Sequence, residues 1–163
     1  MPEVEIGMRV NGRSRRASVP ARLTLADYLR EHCGLTGTHL GCEHGVCGAC
    51  SVLMDGEAVR ACLVFAVQAD GADITTIEGI ASPDGTLSPL QDAFREHHGL
   101  QCGFCTPGFI VSATAFLREH PDPTDDQIRE GLSGNLCRCT GYQGIINAVR
   151  AAARTNADSN RLE

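Results

Sequence analysis

Nine cysteines stand among 163 residues, and eight of them fall into two sets whose spacing suits metal chemistry. The first set is Cys42, Cys47, Cys50 and Cys62, with four, two and then eleven residues between successive thiols. This is the plant-type spacing for holding a [2Fe–2S] core. A short loop has to wrap an inorganic core, so three thiolates come from neighbouring positions and the fourth from an adjacent element. Gly41, Gly45 and Gly48 suit such a loop, because glycine bends freely and lets amide N–H groups approach the sulfurs. The chemistry implied is one-electron transfer. A structural zinc site or a disulfide loop would draw on the same residue type.

The second set is Cys102, Cys105, Cys137 and Cys139. A C-x-x-C pair alone is weak, but Cys105 lies one residue before Thr106-Pro107-Gly108 and Cys139 lies one residue before Thr140-Gly141. Each half of this region therefore reads helix, cysteine pair, threonine, helix, an approximate repeat that predicts four helices about a pseudo-twofold. Two helix N-termini would converge on one site, where unpaired N–H groups and positive dipole ends favour thiolates and an anionic core. Four-cysteine zinc also uses paired cysteines, although the single-residue gap of Cys137-Arg138-Cys139 is unusual for it. Cys33 is left over and reads as a small residue tucked in near a helix end. His44 reads as a solvent-facing loop residue, and no histidine pair has Rieske spacing. Arg138 reads as a surface ion-pair partner.

These sites need elements to carry them. Val4, Ile6, Met8 and Val10 alternate with polar or small residues, a half-buried strand. Asn11-Gly12 turns it into a second strand carrying Arg13, Arg15 and Arg16, whose charge fits a solvated edge. Thr24 with Asp27 caps a helix predicted through Leu25, Leu29 and Arg30 and stopped by Gly34. Beyond the first cysteine loop, 51–54 and 57–60 flank Asp55-Gly56 as a second hairpin, Cys62 follows within reach of the loop, and 73–77 is a short strand. Hairpin, helix, loop, hairpin and strand outline a β-grasp. Every later element reads as helix: Ser88-Pro89 opens one that ends near His98-Gly99, and Thr106-Pro107 repeats the device. That second helix lines up Phe109, Ile110, Ala113, Phe116 and Leu117 as one apolar stripe. Thr124 with Gln127 caps a short helix closed by Ser133-Gly134-Asn135. A last helix starts near Thr140 and buries Ile145, Ile146, Val149 and Ala153. The domains expected are 1–78, a linker 79–87, 88–154, and a polar tail 155–163. The fold class is α+β.

Composition agrees with small, metal-stapled domains. Aromatic residues make up 4% with no Trp, so neither half has the material for a large core. The fourteen basic residues are all Arg and face twenty acids, which argues against nucleic-acid binding. The formal charge of −6 would fall to about −10 with two oxidised four-thiolate [2Fe–2S] units of about −2 each. No apolar run approaches the ~20 residues of a membrane span. The acidic start Met1-Pro2-Glu3-Val4-Glu5 is unlike a signal segment, so a reducing, cytoplasmic setting is expected, in which such cysteines mean metal. Nothing reads as a nucleophile with its base or as a phosphate loop, so no catalytic residue is expected on this chain.

Three stretches resemble one known family: Gly41-Cys42-x₄-Cys47-Gly48-Ala49-Cys50, Gln101-Cys102-Gly103-Phe104-Cys105-Thr106-Pro107-Gly108, and Gly134-Asn135-Leu136-Cys137-Arg138-Cys139-Thr140-Gly141-Tyr142. The family is the small iron–sulfur subunit of the molybdenum hydroxylases, the group of xanthine dehydrogenase, aldehyde oxidoreductase and carbon monoxide dehydrogenase. The resemblance implies a β-grasp plant-type ferredoxin domain with its cluster on the flavin side, then a four-helix-bundle domain whose cluster lies beside molybdopterin. It implies two [2Fe–2S] clusters on this chain, with a molybdopterin-type molybdenum cofactor and FAD on a large and a medium partner subunit, in a dimer of heterotrimers. Electrons would pass from molybdenum through the second cluster and then the first to FAD. Gln101 and Cys139 match positions that lie against the pterin in this family. The substrate expected is an N-heterocycle or an aldehyde; the small subunit of a carbon monoxide dehydrogenase and a free-standing ferredoxin are the alternatives.

Overall fold

The computed structural model describes residues 3–160, with side chains to residue 155. Its N-terminal half begins with β1 (Glu3–Val10) and β2 (Arg13–Pro20), paired antiparallel in register from Glu3 with Pro20 to Val10 with Arg13. Asn11 and Gly12 both take positive φ, 49° and 75°, the pair of left-handed residues that a tight two-residue hairpin requires. Ile6, Met8 and Val10 are buried, whereas Val4 at the start of the strand stays exposed.

The second hairpin, β3 (Ser51–Met54) with β4 (Glu57–Arg60), turns at Asp55 and Gly56 in the same way. Strand β5 (Asp73–Thr75) runs between the hairpins, parallel to β1 and antiparallel to β3, giving the order β2-β1-β5-β3-β4. The strand predicted over 73–77 stops at Thr75. Asn11 takes the next residue by two side-chain bonds, Nδ2 donating to Thr76 Oγ1 and the Thr76 amide donating to Oδ1, both at 2.9 Å. Ile77 then enters a 3-10 turn and packs on the second core.

The sheet's inner face is covered by α1 (Leu25–Asp27), which continues as a wider π turn over Tyr28–His32, so the predicted helix is regular for only its first three residues. Thr24 caps it, its Oγ1 accepting from the Asp27 amide at 3.0 Å. Leu25, Tyr28, Leu29, Val52 and Ile74 are buried together in the first core.

Four helices make the rest: α2 (Pro89–Glu96), α3 (Thr106–Glu119), α4 (Asp125–Gly131) and α5 (Gln143–Asn160). Ser88 with Gln91 and Thr124 with Gln127 close reciprocal capping boxes. Thr106 does not repeat the device: Cys105 is the N-cap of α3 with no side-chain cap bond, and Thr106 is already helical. The start predicted near Thr140 moves to Gln143, because Gly141 and Tyr142 both sit at positive φ, 66° and 70°. The stripe of α3 is buried with Phe116 half-buried, and it packs with Leu90, Phe94, Ile128, Ile145, Ile146, Val149 and Ala153 as a second core. The backbone of α5 runs on through much of the segment expected as a polar tail; 161–163 lie outside the described residues. Among the described residues no helix is long and apolar enough to cross a membrane.

Candidate metal centres

The first cysteine loop bends around its own sulfurs. The amides of His44 and Cys47 donate to Cys42 Sγ at 3.5 and 3.4 Å, and the Ala49 amide donates to Cys47 Sγ at 3.5 Å. Positive φ at Glu43, Gly45 and Gly48 turns those amides inward. Donation from His44 and then Cys47 lowers the Cys42 thiol to about 6, since each N–H favours the thiolate. Cys50, buried under β3, goes the other way to about 11, by burial first and then by the neighbouring Cys62 and Cys47 sulfurs. Cys62 reaches back to Cys50 from a 3-10 turn directly after β4.

The second set meets between the N-termini of α3 and α5. Cys139 Sγ donates to Cys102 Sγ at 3.6 Å, both residues being exposed. Cys105 and Cys137 form the inner, half-buried pair. Burial lifts the Cys105 thiol to about 12. Burial also opposes ionisation of Cys137, but the hydroxyl and amide of Thr140, at 3.1 and 3.4 Å from its sulfur, outweigh it and lower the thiol. The left-handed Tyr142 returns its hydroxyl to accept from the Cys137 amide at 3.1 Å.

All four thiols of each set come together, and they come in twos: Cys42 with Cys47, Cys50 with Cys62, Cys102 with Cys139, Cys105 with Cys137. Among the described residues no group of three or more His, Cys, Asp or Glu closes on a single ion-sized point. Two thiolates sharing one tetrahedral metal at ~2.3 Å stand about 3.7 Å apart, near the Cys102–Cys139 separation of 3.6 Å. Two pairs per site suit a two-iron core, one pair to each iron, better than one zinc gripped by all four. Cys50 and Cys105, whose thiols are held high by burial, need the charge of a metal core to ionise. Thr106 Oγ1, one residue beyond Cys105, is buried without a partner among the described residues, a donor that an inorganic sulfide would satisfy.

The remaining candidates lie apart from the metal-facing sulfurs or at their rim. Gln101 is exposed beside Cys102. Cys33 is half-buried against the first core, its thiol raised by burial and bonded to Tyr28. Arg138 is exposed and makes no ion pair among the described residues, against expectation. His44 is exposed and contributes its amide to Cys42.

Sequence reasoning gave no role to the residues that join the two loops. The Leu136 amide donates to the Cys47 carbonyl at 2.9 Å, and buried Asn135 donates through Nδ2 to the Gly48 carbonyl at 3.1 Å. His39 Nδ1 donates to the Phe104 carbonyl at 2.6 Å while the two rings stack at 4.8 Å. Asn135 sits in the motif read for Cys137 and Cys139 and was read only as part of the turn that closes the helix capped by Thr124; nothing local distinguishes that role from a bond to Gly48.

Comparison with known proteins places both loops in described families. Residues 8–75 match the "2Fe-2S iron-sulfur cluster binding domain" and residues 76–150 match the "[2Fe-2S] binding domain". The chain is 62% identical over 146 residues to the nicotine 6-hydroxylase small subunit of Paenarthrobacter nicotinovorans, covering 90% of this chain and 87% of that one. It belongs to the small iron–sulfur subunits of the molybdenum hydroxylases. Another such relative, caffeine dehydrogenase subunit gamma of Pseudomonas sp. (strain CBB1), is 54% identical over 92% of this chain and 91% of its own length. The crystal structure of quinoline 2-oxidoreductase from Pseudomonas putida 86 superposes with a TM-score of 0.92 at 49% identity, covering 97% of this chain and 98% of that one. The β-grasp and four-helix halves are thus two [2Fe–2S]-binding domains of an electron-transfer subunit.

Proposed function

We propose that this chain carries electrons from a molybdopterin centre on a large subunit to FAD on a medium subunit, with Cys42, Cys47, Cys50 and Cys62 holding one cluster and Cys102, Cys105, Cys137 and Cys139 the other. When bound, the two [2Fe–2S] clusters supply one-electron steps between a two-electron oxidation and the flavin. The observation that carries the assignment is the pairing of eight thiols at two places whose loops are hydrogen-bonded to each other, among other contacts by the Leu136 amide to the Cys47 carbonyl at 2.9 Å.

The residues give the subunit a direction. Cys102, Cys139 and Gln101 are exposed on the rim of the helical site, where a partner's pterin would approach. Cys105 and Cys137 lie deeper, and Leu136, the residue before Cys137, reaches the first loop. Val46, inside the first cysteine loop, and Leu63, next to Cys62, are exposed apolar residues at the β-grasp site, where the flavin subunit would dock. The chain itself orients the sulfurs, donates amides to them and excludes water from Cys50; it holds no catalytic residue, and hydroxylation belongs to the large subunit. Relatives named for nicotine and caffeine favour an N-heterocycle as the substrate of the complex. Nine free thiols suit a cytoplasmic setting.

Metal analysis of the purified chain tests the assignment: about four iron and four acid-labile sulfide are expected, with two distinct S = ½ EPR signals after reduction. About two iron, or zinc in a colourless protein, would end it.

A further inference from the structure

Between the two cysteine loops lies a closed ring of hydrogen bonds that the function so far does not use. Arg60, at the end of β4, spreads its guanidinium across it: Nη1 donates to Ser51 Oγ and Nη2 to the Gly134 carbonyl, each at 2.6 Å. Ser51 Oγ passes its own hydrogen to the Gly48 carbonyl at 2.7 Å. The same carbonyl accepts from Asn135 Nδ2 at 3.1 Å, and Asn135 follows Gly134, which closes the ring. Ser51 and Asn135 are each 3% exposed, so the polar groups inside satisfy one another.

The ring brackets the contact between the loops. Gly48 follows Cys47, and Asn135 precedes Leu136, so it holds both ends of the bond from the Leu136 amide to the Cys47 carbonyl. There is no slack in this place. A Cβ on Gly48 would stand 2.6 Å from Asn135 Nδ2 and 2.7 Å from the Gly134 carbonyl, and a Cβ on Gly108 would run into the Gly48 carbonyl.

We propose that Asn135 and Arg60 are positioning residues for electron passage between the two sites: they clamp the Cys47 carbonyl onto the Leu136 amide and so fix a direct backbone hydrogen bond between a ligand of one loop and the residue preceding a ligand of the other. The proposal rests on the two-cluster reading above. The step moves one electron, oxidising one site and reducing the other, with no bond made or broken, so its rate depends on how firmly the link is held. Neither residue touches a sulfur in the bonds described.

The test uses the assembled complex with Asn135→Leu, which keeps the branched outline of the side chain and removes the donor, and with Arg60→Lys and Arg60→Leu. In Asn135→Leu, amide exchange at Leu136 should rise about tenfold while iron content and both EPR signals stay as in the parent. Electron redistribution between the two signals after a one-electron reducing pulse should slow by about tenfold or more. Arg60→Lys keeps the charge, hence both potentials, but breaks the two-pronged grip, so it should fall between the parent and Arg60→Leu. That order at constant potential separates a held link from an electrostatic effect. Unchanged exchange at Leu136 and an unchanged rate in Asn135→Leu would overturn the proposal; should that variant shed a cluster, a parental rate in Arg60→Leu would overturn it. A parent complex whose small subunit shows one signal would instead overturn the two-cluster reading beneath.

Discussion

Gly48 concentrates several demands in one residue. Its φ of 73° is left-handed, its amide lies in the sulfur-facing loop, and the space where a Cβ would go is filled by Asn135 and Gly134. Gly12 offers the control, with φ 75° and nothing within 4 Å of its Cβ position. Gly12→Ala should therefore cost only the conformational strain, about 1–2 kcal/mol. Gly48→Ala should add about 1–3 kcal/mol of overpacking to that. Thermal unfolding of the loaded protein measures both, and equal losses would mean that the packed neighbours of Gly48 yield freely. Cys33 makes the opposite case. It is half-buried against the first core and bonded to Tyr28, whose hydroxyl is itself pushed up to about 12, first by burial and then by Cys33. Cys33→Ala should leave the iron content and both EPR signals intact, whereas serine at any of the eight proposed ligands should remove or alter one signal. A signal lost with Cys33 would rewrite the ligand set.

At the level of elements, local chemistry was legible wherever a few adjacent residues decide the outcome. Asn11-Gly12 and Asp55-Gly56 take the paired positive φ that their types permit, and the capping boxes at Ser88 and Thr124 form as read. The cysteine spacing separated the eight thiols into the two sets of four that the structure gathers, in pairs, at two places. What was not legible depends on partners far along the chain. Asn11 ends β5 by seizing Thr76 across 65 residues, and Asn135 meets Gly48 across 87, and such pairings leave no period in the sequence. Thr106 looked like a cap, yet the N-cap is Cys105, and the Thr106 hydroxyl, one residue beyond that thiol, is buried without a partner among the described residues. Two threonines thereby separate a structural role from one at the metal. Thr124→Ala should cost about 1 kcal/mol of stability, because Oγ1 accepts from the Gln127 amide at 3.3 Å, and should leave both EPR signals alone. Thr106→Val should keep the helix but shift the potential of the helical site downward, since a donor to sulfide stabilises the reduced, more negative state. Redox titration followed by EPR reads this directly, and a parental potential would mean the hydroxyl serves packing alone.

Across the whole molecule, two small cores are joined by cysteine loops, with the sheet's β3 packed on α3 and the ring around Gly48 closing the seam. The outer rim of the helical site is exposed at Cys102 and Cys139, and its inner pair leads through Leu136 to Cys47 in the first loop. The proposed order makes the helical site the entrance and the β-grasp site the exit. In the assembled complex, Cys102→Ser should therefore stop electrons from substrate before they reach either the first site or FAD. Cys47→Ser should act further along, leaving the helical site reducible by substrate while FAD is starved. Serine keeps the size of each side chain and replaces a soft sulfur by a hard oxygen, so the comparison is made on variants whose other cluster remains loaded, checked by iron content. Rapid-freeze EPR after mixing with substrate follows the two signals separately. If the first site is reduced at the parental rate in the Cys102→Ser complex, electrons enter by another face and the order inferred from the exposed and inner thiol pairs is wrong.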